Sequence, residues 1–190
     1  HVKLDRRFGL ENPFKEWNKD FRLLALAVAS QGIFFGVQLT LFNNFIVERL
    51  NIEVHQLGYV EALREVPGFM NAFFVALMVR FAPPIVAAIS LAIMGVGIMA
   101  YSQVDSVTML AVYSLVWSIG FHCWVPMEQL MSLVFSPEGK KGKWLGQLRS
   151  INSISWLGSI LVCKLSYDFV GYSGLFVMAG LATIGGGIAI

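Results

Sequence analysis

The stretch LLALAVASQGIFFGVQLTLFNNFIV, residues 23–47, contains no charged side chain. An α-helix needs about 20 predominantly apolar residues to cross the hydrocarbon core of a bilayer. Three further stretches of similar length, 81–104, 106–127 and 169–190, contain no charged residue either. A soluble domain of this size could not bury so many long apolar runs, so the sequence predicts a protein that crosses a membrane several times.

The composition agrees with this interpretation. Hydrophobic residues make up 56% of the chain and charged residues 14%, whereas about a quarter of the residues of an ordinary soluble domain are charged. Turn-forming residues divide the apolar sequence. We predict an all-α membrane protein, a six-transmembrane-helix bundle in which residues 23–190 form one domain, with spans at about 23–46, 56–80, 83–104, 107–135, 144–166 and 172–190.

The basic residues predict the orientation of these spans, because cytoplasmic loops carry an excess of Lys and Arg. With the N-terminus inside, only Arg49 and Lys164 lie on the outer side, and Arg64 lies within a span. The other eleven of the 14 fall on the cytoplasmic side: Lys3, Arg6, Arg7, Lys15, Lys19, Arg22, Arg80, Lys140, Lys141, Lys143 and Arg149. We therefore expect both termini in the cytoplasm and the bundle in the plasma (inner) membrane, with no nucleic acid as a partner.

Residues 1–22 precede the first span as a polar cytoplasmic segment. Within it, residues 13–22 carry Phe14, Trp17 and Phe21 at helical spacing, with charged side chains between them. This pattern is typical of a short amphipathic helix that lies in the membrane interface. We predict that it anchors the start of the first span to membrane lipid.

Polar side chains inside a membrane usually face a partner helix or a water-filled cavity. In the first span, Gln31 and Gln38 share one helical face. In the second span, Glu61, Arg64, Glu65 and Asn71 fall on one stripe. The three charged residues suit either an ion pair that packs the outer end of the helix or an outer gate and ion-coupling site. We expect Gln31, Gln38 and Asn71 to line a substrate path.

The fourth and fifth spans carry a second polar set. His122, Glu128 and Gln129 lie on one side of the fourth span, where Pro126 is expected to kink the helix. Arg149 and Asn152 share a face of the fifth span, and Arg149 has the same expected depth as Glu128. We assign His122, Glu128, Gln129 and Asn152 to the substrate path. We also expect Glu128 to pair with Arg149, and this pair is either structural or part of a gate.

This division of polar and apolar spans resembles one half of a major facilitator superfamily transporter, the N-terminal six-helix half. Three short stretches are similar to the family: LGYVE at 57–61, GKWLGQLRS at 142–150 and GYSGLF at 171–176. The family's basic loop between helices two and three is reduced here to RFAPP at 80–84, and Gly158 lacks the following proline of drug antiporters. Drug antiport is therefore not indicated.

The resemblance implies two inverted three-helix repeats, with the first helix of each repeat lining a cavity. It also implies secondary active transport of a small solute by alternating access, and leaves open whether a proton or an ion is coupled. The partner would be a second six-helix half, either a C-terminal half or a second copy of this chain. The solute itself does not follow from the sequence.

Two alternatives come from other classes. A membrane scaffold or assembly subunit that transports nothing is compatible with the same spans. An enzyme is not expected, because the sequence lacks H-E-x-x-H and His122 is the only histidine within a span. Haem held by two histidines would need a second histidine within a span, which the sequence lacks. No cofactor or metal is therefore expected.

Overall fold

The computed structural model describes residues 16–190, which are helical and contain no strand. The helices are α1 (Lys19–Leu50), α2 (Val54–Phe69), α3 (Asn71–Met78), α4 (Pro83–Ala100), α5 (Val107–Phe135) and α6 (Lys141–Ala189). A short 3₁₀ turn, Tyr101–Gln103, extends α4. Within the described range, four segments are long and apolar enough to cross a membrane: Lys19–Leu50, Pro83–Gln103, Val107–Phe135 and Lys141–Ala189. The all-α prediction is confirmed at this level.

The second predicted span, 56–80, is not one continuous helix. The chain forms α2 and α3 instead, with a break at Met70, where φ is −88° and ψ is 5°. Pro67 lies in the last turn of α2. Proline lacks the N–H that would bond to residue 63 and its ring crowds that carbonyl, so it weakens the helix there. Neither piece alone reaches the length that a membrane crossing requires.

The fifth and sixth predicted spans are joined in α6, which has one non-helical residue, Gly171, at φ 61° and ψ −169°. Only glycine adopts this region readily. Gly171 therefore divides α6 into two arms, 141–170 and 172–189, and the connection between them is a single residue. The predicted bounds left residues 167–171 as the connection, but Tyr167 and Asp168 are helical.

Small residues allow the long helices to approach closely. α1 lies along α6, and α4 packs between α5 and α6. A methyl group at Gly32 would lie 2.5 Å from the Asn152 carbonyl oxygen, and one at Gly36 would overlap Ser159 Oγ. The small-x-x-x-small pattern of α1 therefore forms the contact with the first arm of α6.

Among the long helices, α2 packs mainly against α5. Its opposite side and the start of α3 leave Tyr59, Phe69 and Phe73 exposed. Other helices therefore cover α2 and α3 mainly on one side. α2 forms one wall of the candidate site described below.

The residues at the start of α1 contact the end of α5 and the start of α6. Asn18 caps α1 by accepting the Phe21 N–H at 2.8 Å and donates to the Phe135 carbonyl at 3.0 Å. Trp17 Nε1 donates to Gln147 Oε1 at 2.9 Å. Glu16 Oε2 lies 3.1 Å from Lys140 Nζ and 3.3 Å from Lys143 Nζ.

These contacts correct the predicted interfacial helix in the part that the structure describes. α1 begins only at Lys19. Trp17 and Phe21 are buried in protein, with the Phe21 ring 4.4 Å from the Trp144 ring, rather than free to enter lipid. Phe14 and the rest of residues 1–15 lie outside the described residues. We call the side of the bundle that carries Arg22, Lys140, Lys141 and Lys143 the basic end.

The Glu16 cluster gives a pH-dependent stability. Hydrogen bonds from Lys140 and Lys143, and the charges of both lysines, lower the pKa of Glu16 from its ordinary 4.5. A lowered pKa in the folded state means that the carboxylate stabilises the fold above about pH 4.5 and that this contribution is lost as the pH falls through the folded-state pKa. Glu16→Gln should therefore lower the melting temperature of the detergent-solubilised protein at neutral pH and leave it unchanged in acid well below the folded-state pKa.

Glu138→Gln is the matched control, because Glu138 is an exposed carboxylate in the loop between α5 and α6. Added salt should shrink the Glu16 effect, since the pair is exposed and screened. A Glu16→Gln effect of equal size in acid and at neutral pH contradicts the assignment.

Candidate functional site

Three charged side chains, Glu61, Arg64 and Glu65, lie within about one helical turn on α2. Arg64 donates from Nη1 to Glu61 Oε1 at 2.8 Å, and its Nη2 pairs with the second Glu61 oxygen. Glu65 is held less tightly, with its Oε1 3.4 Å from Arg64 Nε, and its side chain is 56% exposed. The guanidinium is therefore neutralised by Glu61, and the charge of Glu65 is only weakly compensated.

Arg64 also fixes α2 to α5. Its guanidinium carbon lies 5.6 Å from the centroid of the Trp117 ring, within the range of a cation–π contact. Its backbone carbonyl accepts a hydrogen bond from the Ser118 hydroxyl. The cluster is thus oriented from two sides, by Glu61 on its own helix and by the Trp117–Ser118 step of α5.

His122 continues the polar row one turn along α5. Its Nδ1 lies 2.9 Å from the Ser118 carbonyl and 3.2 Å from the Ser118 hydroxyl. A carbonyl can only accept, so Nδ1 carries the proton in this arrangement. A methyl group at Gly68 would lie 2.8 Å from His122 Nε2. The absence of a side chain at Gly68 therefore lets α2 approach the imidazole.

A cavity of about 120 Å³ joins these groups to α1. Gln38, which is 1% exposed, forms part of its lining, and the Gln38 Nε2 has no hydrogen-bond partner within residues 16–190. The lining residues come from three helices: Phe35, Gln38 and Leu39 from α1, Arg64 and Glu65 from α2, and Trp117, Ser118, Phe121 and His122 from α5. The structure thus brings together four of the residues singled out in the sequence, Gln38, Arg64, Glu65 and His122.

Gln31 and Asn152 do not belong to this cavity. Asn152 Nδ2 donates to Gln31 Oε1 at 3.0 Å and to the Val28 carbonyl at 3.2 Å. Gln31 is buried between α1 and α6. This hydrogen bond joins α1 to the first arm of α6 in the described conformation.

Glu128 and Arg149 form the pair that the sequence suggested. The Glu128 side chain is 2% exposed, with Oε1 3.2 Å from Arg149 Nη2 and Oε2 3.5 Å from Arg149 Nη1. The Arg149 side chain is 55% exposed. Glu128 follows His122 by six residues, or about 9 Å along α5, so the pair lies toward the basic end and connects α5 to the first arm of α6.

Asn71 and Gln129 do not line the cavity. Asn71 begins α3, and its Oδ1 is buried without a partner in the described part of the chain. Gln129 is exposed on α5. Sequence reasoning missed the aromatic walls, Phe35, Trp117 and Phe121, because aromatic residues at helical spacing are usually core.

Three larger cavities are lined by none of the polar residues predicted for the site. One of about 410 Å³ lies between α1 and both arms of α6, and its lining is almost entirely apolar, as with Ile33, Val162 and Met178. It provides no charged group to orient a solute. Another of about 340 Å³ lies near Gly171, where Tyr172 donates to Glu48 Oε2 at 2.8 Å. The smaller three-helix cavity remains the candidate site because, among these cavities, it contains the Gln38, Arg64, Glu65 and His122 set.

Comparison with models of known protein families gives no match, and comparison with curated proteins gives none. No group of three or more His, Cys, Asp or Glu side chains suited to a metal ion occurs within residues 16–190. The functional assignment therefore depends on the geometry of the cavity and on the resemblance described above.

Proposed function

We propose that this chain is one half of a secondary active transporter of the major facilitator type, which moves a small solute across the membrane by alternating access. The observation that carries the proposal is the cavity between α1, α2 and α5. It holds an unpartnered buried amide and a charged cluster in a bundle whose long helices suit a membrane. Polar groups are costly in that environment and usually mark a solute or ion pathway.

In this proposal the chain crosses the membrane six times as two inverted three-helix repeats. The first repeat is α1, then α2 with α3, then α4; the second is α5 and the two arms of α6. The pattern of side chains supports this division. α1 and α5, the first helices of the two repeats, supply Gln38 and His122 to the cavity. α4 and the arm 172–189, the third helices, contain no charged residue.

A second half is the proposed partner, supplied by a C-terminal half or by a second copy of the chain. Glu65 and Arg149 are each more than half exposed, and Gln129 is exposed as well. Contact of these groups with acyl chains would be costly. A partner that faces them across a water-filled path removes that cost. The basic end is proposed to face the cytoplasm in a plasma (inner) membrane.

A scaffold or assembly subunit is the second candidate, and one observation favours it. The polar pairs Gln31–Asn152, Glu61–Arg64 and Glu128–Arg149 are all formed within the chain, as a purely structural bundle would require. Gln38 differs from them, since its buried amide nitrogen is left without a partner in the described residues. The transporter assignment rests on this difference.

Solute flux separates the two candidates. The chain is reconstituted in liposomes as a single polypeptide of two fused copies, and uptake of radiolabelled amines, amino acids, sugars and organic acids is measured. We expect uptake above that of empty liposomes for one class, and its loss in Gln38→Leu. Glu53→Gln is the control, because Glu53 is exposed just before α2. Uptake equal to that of empty liposomes for every class, both for the two-copy fusion and for the chain paired with a C-terminal half, contradicts the proposal.

A further inference from the structure

The charge of the three-helix cavity is negative when His122 is neutral. Glu61 occupies both terminal nitrogens of Arg64, so the guanidinium has little capacity left for an anion. Glu65 contacts Arg64 only at 3.4 Å. One arginine against two carboxylates leaves one negative charge in excess, on the residue that lines the cavity.

The remaining walls suit a cation with an apolar surface. Phe35 and Phe121 have ring centroids 5.0 Å apart, and Phe35 lies 6.3 Å from Trp117. Aromatic faces attract ammonium groups, most strongly when these are removed from water. Trp117 already receives one cation, the Arg64 guanidinium, so a cationic contact at these rings has a precedent within the site.

Gln38 adds a hydrogen-bond donor. Its Nε2 is buried and without a partner in the described residues, which costs free energy until an acceptor is supplied. A hydroxyl or carbonyl oxygen on the ligand would meet that need. The cavity volume of about 120 Å³ equals that of roughly four water molecules, enough for an ammonium head group rather than a whole sugar.

We propose that this cavity binds the head group of a small organic ammonium ion that carries a neighbouring oxygen acceptor. Glu65 balances the charge, the rings of Phe35, Trp117 and Phe121 contact the ammonium methyl or methylene groups, and Gln38 donates to the oxygen. The inference rests on the proposed function in treating the cavity as a solute site, but it concerns binding and not movement.

Three ligands of similar shape and different charge test it. Choline is the cation, 3,3-dimethylbutan-1-ol replaces its nitrogen by carbon, and 3,3-dimethylbutanoate is the anion. Binding of radiolabelled choline to the purified full chain in detergent is measured by equilibrium dialysis, with the other two as competitors. We expect choline to bind about tenfold more tightly than either competitor, as expected for a desolvated cation–π and charge contact.

Glu65→Gln should reduce this preference by weakening choline binding while leaving the neutral alcohol's affinity unchanged, and Glu53→Gln should leave both affinities unchanged. Glu65 is more than half exposed, so its substitution is not expected to prevent folding. Equal binding of the three ligands to the original protein, preference for the anion, or no choline binding overturns the inference, whether or not the Glu65→Gln variant folds. Choline binding without solute flux would uphold the cation site and contradict the transporter.

Discussion

Arg149→Ala should destabilise the bundle more than any other single replacement of an exposed residue. It leaves the Glu128 carboxylate unpaired, although that side chain is only 2% exposed. Removing one partner of a buried pair costs about 3–5 kcal/mol, and we expect about 3 kcal/mol because the arginine side reaches solvent. Reversible unfolding in mixed detergent micelles, followed by circular dichroism, measures the change.

Two further variants identify the cause. Arg149→Lys keeps a positive charge near Glu128 and should recover more than half of the loss. Glu128→Gln combined with Arg149→Ala should approach the stability of the original protein, because a neutral amide needs no counter-charge. If the double variant is as unstable as Arg149→Ala, then the loss comes from the packing of the arginine stem and the pair is not the reason.

Gly36→Ala should produce the next largest loss, because the added methyl group has no room. It would overlap Ser159 Oγ and lie 2.6 Å from the Trp156 carbonyl oxygen. The serine side chain can rotate, but the carbonyl belongs to the backbone of α6 and can move only with the helix. Forcing an extra group into a packed contact costs about 1–3 kcal/mol. The same unfolding assay gives the change.

Gly158→Ala is the matched control, since Gly158 also lies in a long helix but has nothing within 4 Å of an added methyl group. Alanine is favoured over glycine within a helix by about 0.8–1.0 kcal/mol, so this variant should be as stable as the original protein or more so. Equal losses at both positions would mean that α1 and α6 do not meet at Gly36.

The local sequence signals predicted the boundaries of the third and fourth spans well. Pro83 begins α4, where its fixed φ suits the first turn and its missing N–H costs nothing. Ser106 caps α5 by accepting the Met109 N–H, and α5 ends at Phe135 as predicted. In both cases the signal lies within a few residues of the boundary and does not depend on the rest of the bundle.

Helical periodicity grouped some of the predicted polar residues and not others. Gln38, Arg64, Glu65 and His122 line one cavity, whereas Asn71 and Gln129 do not. Gln31 shares the face of Gln38, yet it bonds to Asn152 instead. Periodicity fixes the direction of a side chain around its own axis, while the neighbour it meets depends on how the helices are arranged.

The break at Met70 and the burial of Trp17 and Phe21 were missed for a related reason. Pro67 was visible in the sequence, but a membrane helix can keep its course through a proline when neighbours satisfy the freed backbone group. The aromatic pattern at 13–22 fits lipid and protein equally well. The contact between Phe21 and Trp144 joins residues far apart in the chain, and local periodicity carries no information about it.

Cysteine accessibility tests most directly whether this chain lies in lipid with water in its three-helix cavity. Single cysteines are placed at Glu65 and at Leu161, in a background of Cys123→Ser and Cys163→Ser. Both positions are exposed in the bundle. A charged, water-soluble methanethiosulfonate reagent is applied to the protein in a bilayer. We predict rapid labelling at position 65 and little at position 161; equal labelling at both, or none at 65, contradicts this arrangement.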